Sequence, residues 1–184
     1  PKSRLIADGV RPIRHVNALW DRIAASFGLA ENTILIFMTD NGTSGGVEMD
    51  TDALESEGQG YNAGLRGRKA SVYDGGHRVP CFFHWPQGGL REGRAIEELA
   101  AGYDILPTLI DLCGLKNPEV AFDGRSLGPL LRNEPEWKDR VLTLQYQGGN
   151  GFTYAPEMWR DSAVLTERWR LVDGVKLFDI EADP

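Results

Sequence analysis

Residues 33–39, TILIFMT, form an uninterrupted run of apolar and β-favouring side chains that ends in Asp40, Asn41 and Gly42. A strand with apolar residues on both faces must be covered on both sides, as parallel strands are when helices pack above and below them. This run therefore predicts an α/β fold. In open parallel sheets, ligands bind beyond the carboxyl ends of the strands, which is where Asp40 and Asn41 lie.

The neighbouring segments supply the other elements of such a fold. Apolar residues of 16–27 recur at helical spacing, and Gly28 follows as a stop signal. Residues 78–86, RVPCFFHWP, predict a second core strand. Residues 103–114, YDILPTLIDLCG, predict a helix that has Asp104 at its N-cap, an apolar face including Leu106 and Cys113, and Gly114 at its end.

The C-terminal segment has a different pattern. Residues 140–146, RVLTLQY, and 165–180, LTERWRLVDGVKLFDI, alternate as strands do, and Asp173-Gly174 is a signal for a two-residue hairpin turn. A two-residue turn there would place Trp169 opposite Phe178. Strands without crossover helices predict a small antiparallel sub-domain. We therefore divide the chain into an α/β domain, 1–134, and an antiparallel β sub-domain, 135–184.

Composition narrows the class of partner. The chain has 27 acidic and 20 basic residues and a net charge of −7, which argues against nucleic-acid binding. No apolar run approaches the roughly 18–20 residues of a membrane helix, and the first residues lack a signal-peptide apolar region. Cys81 and Cys113 lie in apolar segments without C-x-x-C spacing, which predicts buried free thiols.

Two clusters could carry chemistry. Asp40 and Asn41 offer a carboxylate and an amide oxygen, ligands suited to Ca²⁺ or Mg²⁺, although Asp-Asn-Gly is also a common turn composition. The second cluster, GLRGRKASVYDGGHRVP at 64–80, places several bases among glycines in an acidic protein. It could bind a tetrahedral anion or form a solvated basic loop, and the residues alone leave both alternatives open.

The order of five motifs favours a binding site at both clusters over a simple turn and a solvated loop. ENTILIFMTDNG, GLRGRKASVYDGGHRVPCFFHWP, YDILPTLIDLCG, DGRSLGPLL and KLFDIEADP follow one another as in the C-terminal part of the sulfatase family. The chain thus resembles the arylsulfatase-like branch of the alkaline-phosphatase superfamily from about residue 16 onward. The resemblance implies part of an α/β/α sandwich with a small antiparallel C-terminal domain. It also implies hydrolysis of sulfate esters at a Ca²⁺-centred site.

The resemblance also implies roles for individual residues. Asp40 and Asn41 stand at two of the family's metal-ligand positions, and Asp40 also lies near the nucleophile. Lys69 matches the lysine of the L-R-G-x-K segment, which contacts the sulfate and offsets charge on the leaving oxygen. His77 occupies a variable place in the G-G-x-R-x-P segment and is the candidate for a minor role in holding substrate.

Arg66 and Arg78 match the family as structural braces. One family feature is missing: sulfatases attack with a formylglycine made in a C-x-P-S-R type motif, and the segments around Cys81 and Cys113 do not resemble it. The resemblance places that motif, with the remaining metal ligands, in an N-terminal part that this chain lacks. We therefore expect a fragment that is inactive alone and that associates, through an exposed sheet edge, with itself or with the missing part.

Two alternatives remain open at this stage. One is a phosphoesterase or phosphoglycerol transferase of the same superfamily, and the other is a non-catalytic module that binds anions or sulfated glycans. Under the sulfatase interpretation the partner is an aryl or carbohydrate sulfate ester, with neither nucleic acid nor membrane involved. If the source is a bacterium, the resemblance implies a periplasmic or secreted protein.

Overall fold

The computed structural model describes residues 5–7, 22, 26–43, 63–90, 93–135, 137–146 and 158–182. They belong to two compact units, each assembled from segments that are distant in sequence. One unit combines Thr39–Val79 with Asp139–Pro184, and the other combines Arg4–Met38 with Pro80–Lys138. The division into domains between residues 134 and 135 stays a prediction.

The second of these units contains a mixed sheet. Within the described residues it has four strands in the order β2-β3-β1-β4. The strands are β1 (Leu5–Ala7), β2 (Leu35–Met38), β3 (Cys81–His84) and β4 (Arg94–Ile96). Only β1 and β3 run parallel in this order, and the other two pairs are antiparallel.

The predicted parallel direction is wrong for β2. This strand runs antiparallel to β3, with Leu35 opposite His84 and Met38 opposite Cys81. An apolar pattern on both faces reports how much of a strand is covered but not the direction of its neighbour. Since Met38 pairs with Cys81, the chain leaves β2 and enters β3 at the same edge of the sheet.

The core of this unit forms around Phe83, which is completely buried. Helices Ile105–Leu112 and Gly128–Leu131 contribute to it. The other buried members of the cluster are Leu90, Ile96, Leu127, Leu130 and Leu131. The described residues thus give the α/β architecture that the sequence predicts.

The helix Ile105–Leu112 differs in detail from its prediction. The carboxylate of Asp104 does not cap this helix; it accepts hydrogen bonds from the backbone amides of Ala101, at 2.8 Å, and Arg125, at 3.0 Å. Leu106 and Cys113 are exposed, so the predicted apolar face is too wide. Gly114 ends the helix with a φ of +60°, as predicted.

Both cysteines are free thiols, as expected, but only one is shielded from solvent. Cys81 is half-buried and Cys113 is exposed. Burial raises the pKa of the Cys81 thiol to about 11, which makes it unreactive near neutral pH.

The C-terminal sheet is antiparallel throughout its described strands, as predicted. Its order is β5-β6-β7-β8, with β5 at Leu142–Gln145, β6 at Ser162–Leu165, β7 at Trp169–Val172 and β8 at Lys176–Asp179. Alternate side chains are buried along its inner face: Leu142, Ala163, Leu165, Arg170 and Val172. An arginine therefore occupies a position that the alternation assigns to the core.

The predicted hairpin turn is present, but its register is wrong by one residue. Asp173 and Gly174 both have positive φ, and the amide of Val175 donates to the carbonyl of Val172 at 3.1 Å. Val175 is then an additional loop residue, so that β8 starts at Lys176. Consequently Phe178 lies opposite Arg170 instead of Trp169.

Most of the predicted N-terminal helix lies outside the described residues. Arg22, Ser26 and Phe27 are helical, and Gly28 follows with a φ of +65°. In the described ranges, no helix has the length and apolar character that crossing a membrane requires.

Candidate functional site

The candidate metal ligands lie directly beyond β2. Asp40 is exposed and Asn41 is partly buried. The Nδ2 of Asn41 donates a hydrogen bond to the carbonyl of Gly42 at 2.9 Å. This bond fixes the orientation of the amide and leaves its Oδ1, the atom that would bind a hard cation, as the remaining acceptor.

Two backbone hydrogen bonds hold this segment against the basic segment 64–80. The amide of Lys69 donates to the carbonyl of Thr43 at 2.8 Å, and the amide of Gly42 donates to the carbonyl of Gly76 at 2.9 Å. Residues about thirty positions apart are thereby adjacent in space. The structure brings the segment that carries Asp40 and Asn41 together with the segment that carries Lys69.

The approach of the two segments is so close that it requires glycine. A Cβ on Gly42 would lie 1.8 Å from the carbonyl oxygen of Gly75, and a Cβ on Gly75 would lie 2.1 Å from that of Gly67. A Cβ on Gly76 would lie 2.4 Å from the carbonyl oxygen of Ser71. The glycines of the DNG and DGGHR motifs therefore serve the packing of backbone on backbone.

The side chain of Lys69 extends from this junction into solvent. Lys69 is exposed, and no group among the residues that the structure describes bonds to its ammonium. The neighbouring Arg68 is also exposed. Because no carboxylate of the described residues binds this ammonium, it can contact an anion, which a lysine does as a point charge.

Arg66 braces the same segment through aromatic rings. Its guanidinium lies 4.3 Å from the ring centroid of Tyr73 and 5.4 Å from that of Phe178. The two rings are themselves in edge-to-face contact, with centroids 6.0 Å apart. Since Phe178 belongs to β8, these contacts fasten the basic segment to the C-terminal sheet.

Asp74 is a buried carboxylate to which the sequence prediction assigned no role. Its Oδ1 pairs with Nη2 of Arg170, and its Oδ2 pairs with Nη1 of Arg78 at 3.1 Å. Burial alone would raise the pKa of Asp74, but the two arginines outweigh burial and hold the pKa below its usual value. Arg78 is thus a brace, as the resemblance implied.

The alternation of inward and outward residues along β7 indicates that Arg170 is buried. Arg170 alternates with Val172 on the inward face of β7, where a charged residue requires a buried partner. That requirement points to an acidic residue elsewhere in the unit. It does not identify Asp74, because the two residues are 96 positions apart.

His77 faces Arg170 in the same cluster. Its Nε2 lies 3.4 Å from Nη2 of Arg170, and the ring also bonds to the backbone of Val72. Because a guanidinium only donates, Nε2 is the acceptor and Nδ1 carries the proton. A role for His77 in holding substrate stays a prediction.

The pKa of His77 makes stability dependent on pH. Burial lowers this pKa from 6.5, and the charge of Arg170 lowers it further. Asp74 and the hydrogen bond with the backbone of Val72 oppose this shift without reversing it, and Arg78 adds a smaller lowering. As the pH falls below about 6.5, the unfolded chain binds a proton that folded His77 does not, so the free energy of unfolding falls. Asp74 acts in the same direction at lower pH, because its folded pKa lies below 3.8.

We therefore expect His77→Gln to reduce the loss of stability between about pH 7 and pH 5. Urea denaturation at a series of pH values gives the free energy of unfolding of each variant. His84→Gln is the control for replacing a histidine at another position. Equal pH profiles for wild type and His77→Gln would contradict the prediction.

A metal site here would need ligands beyond those described. In the described ranges, no three His, Cys, Asp or Glu side chains are grouped so as to hold a metal ion. The carboxylate of Asp40 and the Oδ1 of Asn41 are oxygen ligands of the kind that Ca²⁺ takes, and Asn41 is already oriented. The two residues fit part of a calcium coordination shell, which requires six to eight oxygens.

Two family models match this chain. The model described as Sulfatase matches residues 6–115, and the model described as N-sulphoglucosamine sulphohydrolase, C-terminal, matches residues 67–184. Each covers more than half of the chain, and both include residues 67–80 of the basic segment.

Curated relatives carry related names. Steryl-sulfatase of Mus musculus is 33% identical over 141 residues, which are 74% of this chain and 21% of that protein. Arylsulfatase A of Homo sapiens is 38% identical over 104 residues, which are 56% of this chain and 18% of that protein. The chain thus spans about a fifth of the length of these relatives.

Solved structures support the fold. The structure of Ps i-CgsB in complex with k-i-k-neocarrahexaose has a TM-score of 0.68 and 26% identity, and the match covers 92% of this chain and 34% of that one. The structure of BT4656 in complex with its substrate D-glucosamine-2-N,6-O-disulfate has a TM-score of 0.58 and 19% identity, over 93% and 32% of the chains.

Proposed function

This chain belongs to the sulfatase family, and we propose that it supplies the calcium-binding and sulfate-binding part of a sulfuric ester hydrolase. The observation that carries this proposal is the pair of backbone hydrogen bonds from Gly42 to Gly76 and from Lys69 to Thr43. They hold the segment of Asp40 and Asn41 next to the segment of Lys69, which supports a site that takes a cation and an anion together.

Asp40 and Asn41 are the residues that would hold the Ca²⁺. A bound Ca²⁺ supplies Lewis-acid chemistry, because it withdraws charge from the sulfate oxygens and makes the sulfur more open to attack. Asn41 presents Oδ1 because Gly42 holds its Nδ2. The exposed carboxylate of Asp40 supplies negative charge, which strengthens cation binding.

Lys69 would bind the sulfate and neutralise charge on the leaving oxygen. Cleavage of the S–O bond transfers negative charge to the departing alcohol, and a fixed ammonium at that position stabilises the transition state more than the ground state. The hydrogen bond from its amide to Thr43 fixes the start of the side chain relative to the metal ligands.

The nucleophile would come from a part of the protein outside these 184 residues. We propose that it is a formylglycine and that the remaining metal ligands accompany it. On this proposal the present chain alone does not turn over substrate. Association of two copies through a sheet edge would supply neither the formylglycine nor the remaining metal ligands.

The substrate would be the sulfate ester of an aryl or carbohydrate alcohol. Relatives named arylsulfatase and steryl-sulfatase support the ester class. A structural relative at 26% identity is described in complex with a neocarrahexaose, which supports a carbohydrate substrate. On this proposal the described segments bind the sulfate group, which aryl and carbohydrate sulfates have in common.

The proposal is tested with two proteins: the isolated chain, and a longer protein that carries it together with a formylglycine segment. We expect the longer protein to hydrolyse an aryl sulfate, to lose this activity with a calcium chelator, and to regain it with Ca²⁺. The isolated chain should show no turnover. Faster cleavage of phosphate monoesters than of sulfate esters would contradict the proposal, as would sulfate binding without turnover in the longer protein.

A further inference from the structure

Arg170 is a charged side chain in the interior of the C-terminal sheet. It is 3% exposed, and it lies opposite Leu165 on one neighbouring strand and Phe178 on the other. Removing a guanidinium from water is unfavourable unless strong partners replace the lost hydration. Its surroundings on the sheet are apolar, so these partners must come from another segment of the unit.

The partners are the first and last residues of the helical turn Asp74–His77. Nη2 of Arg170 pairs with Oδ1 of Asp74 and lies 3.4 Å from Nε2 of His77. The other oxygen of Asp74 is held by Arg78. One buried side chain of β7 thus fixes both ends of a turn that is about ninety-five positions away in sequence.

This turn provides one of the two described backbone links between the halves of the candidate site, beside the direct hydrogen bond from the amide of Lys69 to the carbonyl of Thr43. The amide of Gly75 donates to the carbonyl of Arg66 at 2.7 Å, and the carbonyl of Gly76 accepts from Gly42 at 2.9 Å. The turn therefore contacts the segment preceding Lys69 on one side and the segment following Asn41 on the other. A displacement of the turn would leave the Lys69–Thr43 hydrogen bond as the remaining backbone link described between the segment of Asp40 and Asn41 and the segment of Lys69, and would loosen their arrangement.

We propose that Arg170 is a positioning residue: through Asp74 and His77 it holds the turn 74–77 in place, and the turn holds Asp40 and Asn41 beside Lys69. This role bears on catalysis only if the proposed function holds, but its geometry does not depend on calcium or substrate. Arg170 touches neither the cation nor the sulfate in this scheme.

Arg168 provides a matched control on the same hairpin. Its Nη2 pairs with Oδ2 of Asp179 at 2.7 Å, and its side chain is 54% exposed. Its partner Asp179 belongs to β8 of the C-terminal sheet, so this ion pair does not reach the turn. Replacing either arginine removes one positive charge from the same hairpin, but only Arg170 is connected to the candidate site.

The test is hydrogen exchange of backbone amides, followed by NMR on the metal-free chain. We expect Arg170→Met to accelerate exchange at the amides of Gly42 and Lys69 at least tenfold relative to wild type. Arg168→Met should change them less than twofold. Arg170→Lys, which keeps the charge but loses the planar fork, should give an intermediate rate.

Two internal references separate positioning from general stability. The amide of Asp173, bonded to Ser162 at 2.9 Å, reports on the C-terminal sheet, and the amide of Cys113, bonded to Leu109 at 3.0 Å, reports on the other unit. In Arg170→Lys, hydrogen exchange at these two reference amides should accelerate less than exchange at the amides of Gly42 and Lys69. Unchanged exchange at Gly42 and Lys69, or equal acceleration at Asp173, would overturn the proposal.

A failure here and a failure of the proposed function are distinguishable. Exchange is measured without calcium or substrate, so its outcome does not depend on turnover. The proposed function is tested separately by calcium binding to a longer protein that carries Asp40→Asn. Unchanged calcium binding would contradict the proposed function and leave the exchange result for Arg170 unaffected.

Discussion

Lys69→Met should lower kcat/KM for an aryl sulfate by about 10²–10³-fold in an active protein that contains this chain, because removing one fixed group that stabilises transition-state charge has about this effect. Most of the loss should appear in kcat, since charge on the leaving oxygen develops only as the S–O bond breaks. The methionine is an unbranched side chain only one atom shorter than lysine, and it removes the charge and the N–H donors. Steady-state kinetics at saturating Ca²⁺ measure the effect.

Arg68→Met is the matched control for this prediction. It removes a positive charge one position away, from an exposed residue of the same loop. If the loop acted only through its positive potential, kcat/KM would fall to a similar degree in both variants. A specific contact from Lys69 would lower kcat/KM only in Lys69→Met. A loss below threefold for Lys69→Met, or an equal loss for Arg68→Met, would contradict the assignment.

Gly42→Ala should destabilise the unit by about 2–4 kcal/mol. A Cβ there would lie 1.8 Å from the carbonyl oxygen of Gly75, so the two segments must separate. Strain from overpacking costs about 1–3 kcal/mol, and the lost hydrogen bond from Gly42 to Gly76 contributes about 1 kcal/mol. Urea denaturation of the chain gives the change in the free energy of unfolding.

Gly102→Ala controls for the change from glycine to alanine itself. No atom lies within 4 Å of a Cβ built at this position. Without strain or a lost contact, the substitution should change the free energy of unfolding by about 0.5 kcal/mol or less. If Gly42→Ala were as mild as Gly102→Ala, the two segments would not be in the close backbone contact that the site requires.

The features that were predictable from sequence are those that local patterns specify. The apolar run at 33–39, the helix that Gly114 ends and the turn at Asp173-Gly174 each depend on a few neighbouring residues. Motif order indicated that Asp40 and Lys69 belong to one site, and the backbone hydrogen bonds put their segments side by side. Their roles as metal ligand and sulfate contact stay predictions.

Two of the features that the sequence did not predict depend on contacts between distant residues, and the third depends on the length of one loop. The direction of β2 is set by its pairing with β3, which the apolar pattern does not encode. The register of the last hairpin changed because Val175 joins the loop, and this single residue brought Arg170 opposite Phe178. The ion pair of Arg170 with Asp74 joins residues that are 96 positions apart, so neither local pattern nor spacing identifies it.

The central claim is that Asp40, Asn41 and Lys69 surround one cation and one sulfate. A crystal structure of an active protein containing this chain, grown with Ca²⁺ and sulfate, tests it most directly. We expect a calcium ion at about 2.3–2.6 Å from a carboxylate oxygen of Asp40 and from Oδ1 of Asn41. The Nζ of Lys69 should lie within about 3.2 Å of a sulfate oxygen. Calcium bound by other residues, or a Lys69 ammonium directed away from the sulfate, would contradict the account.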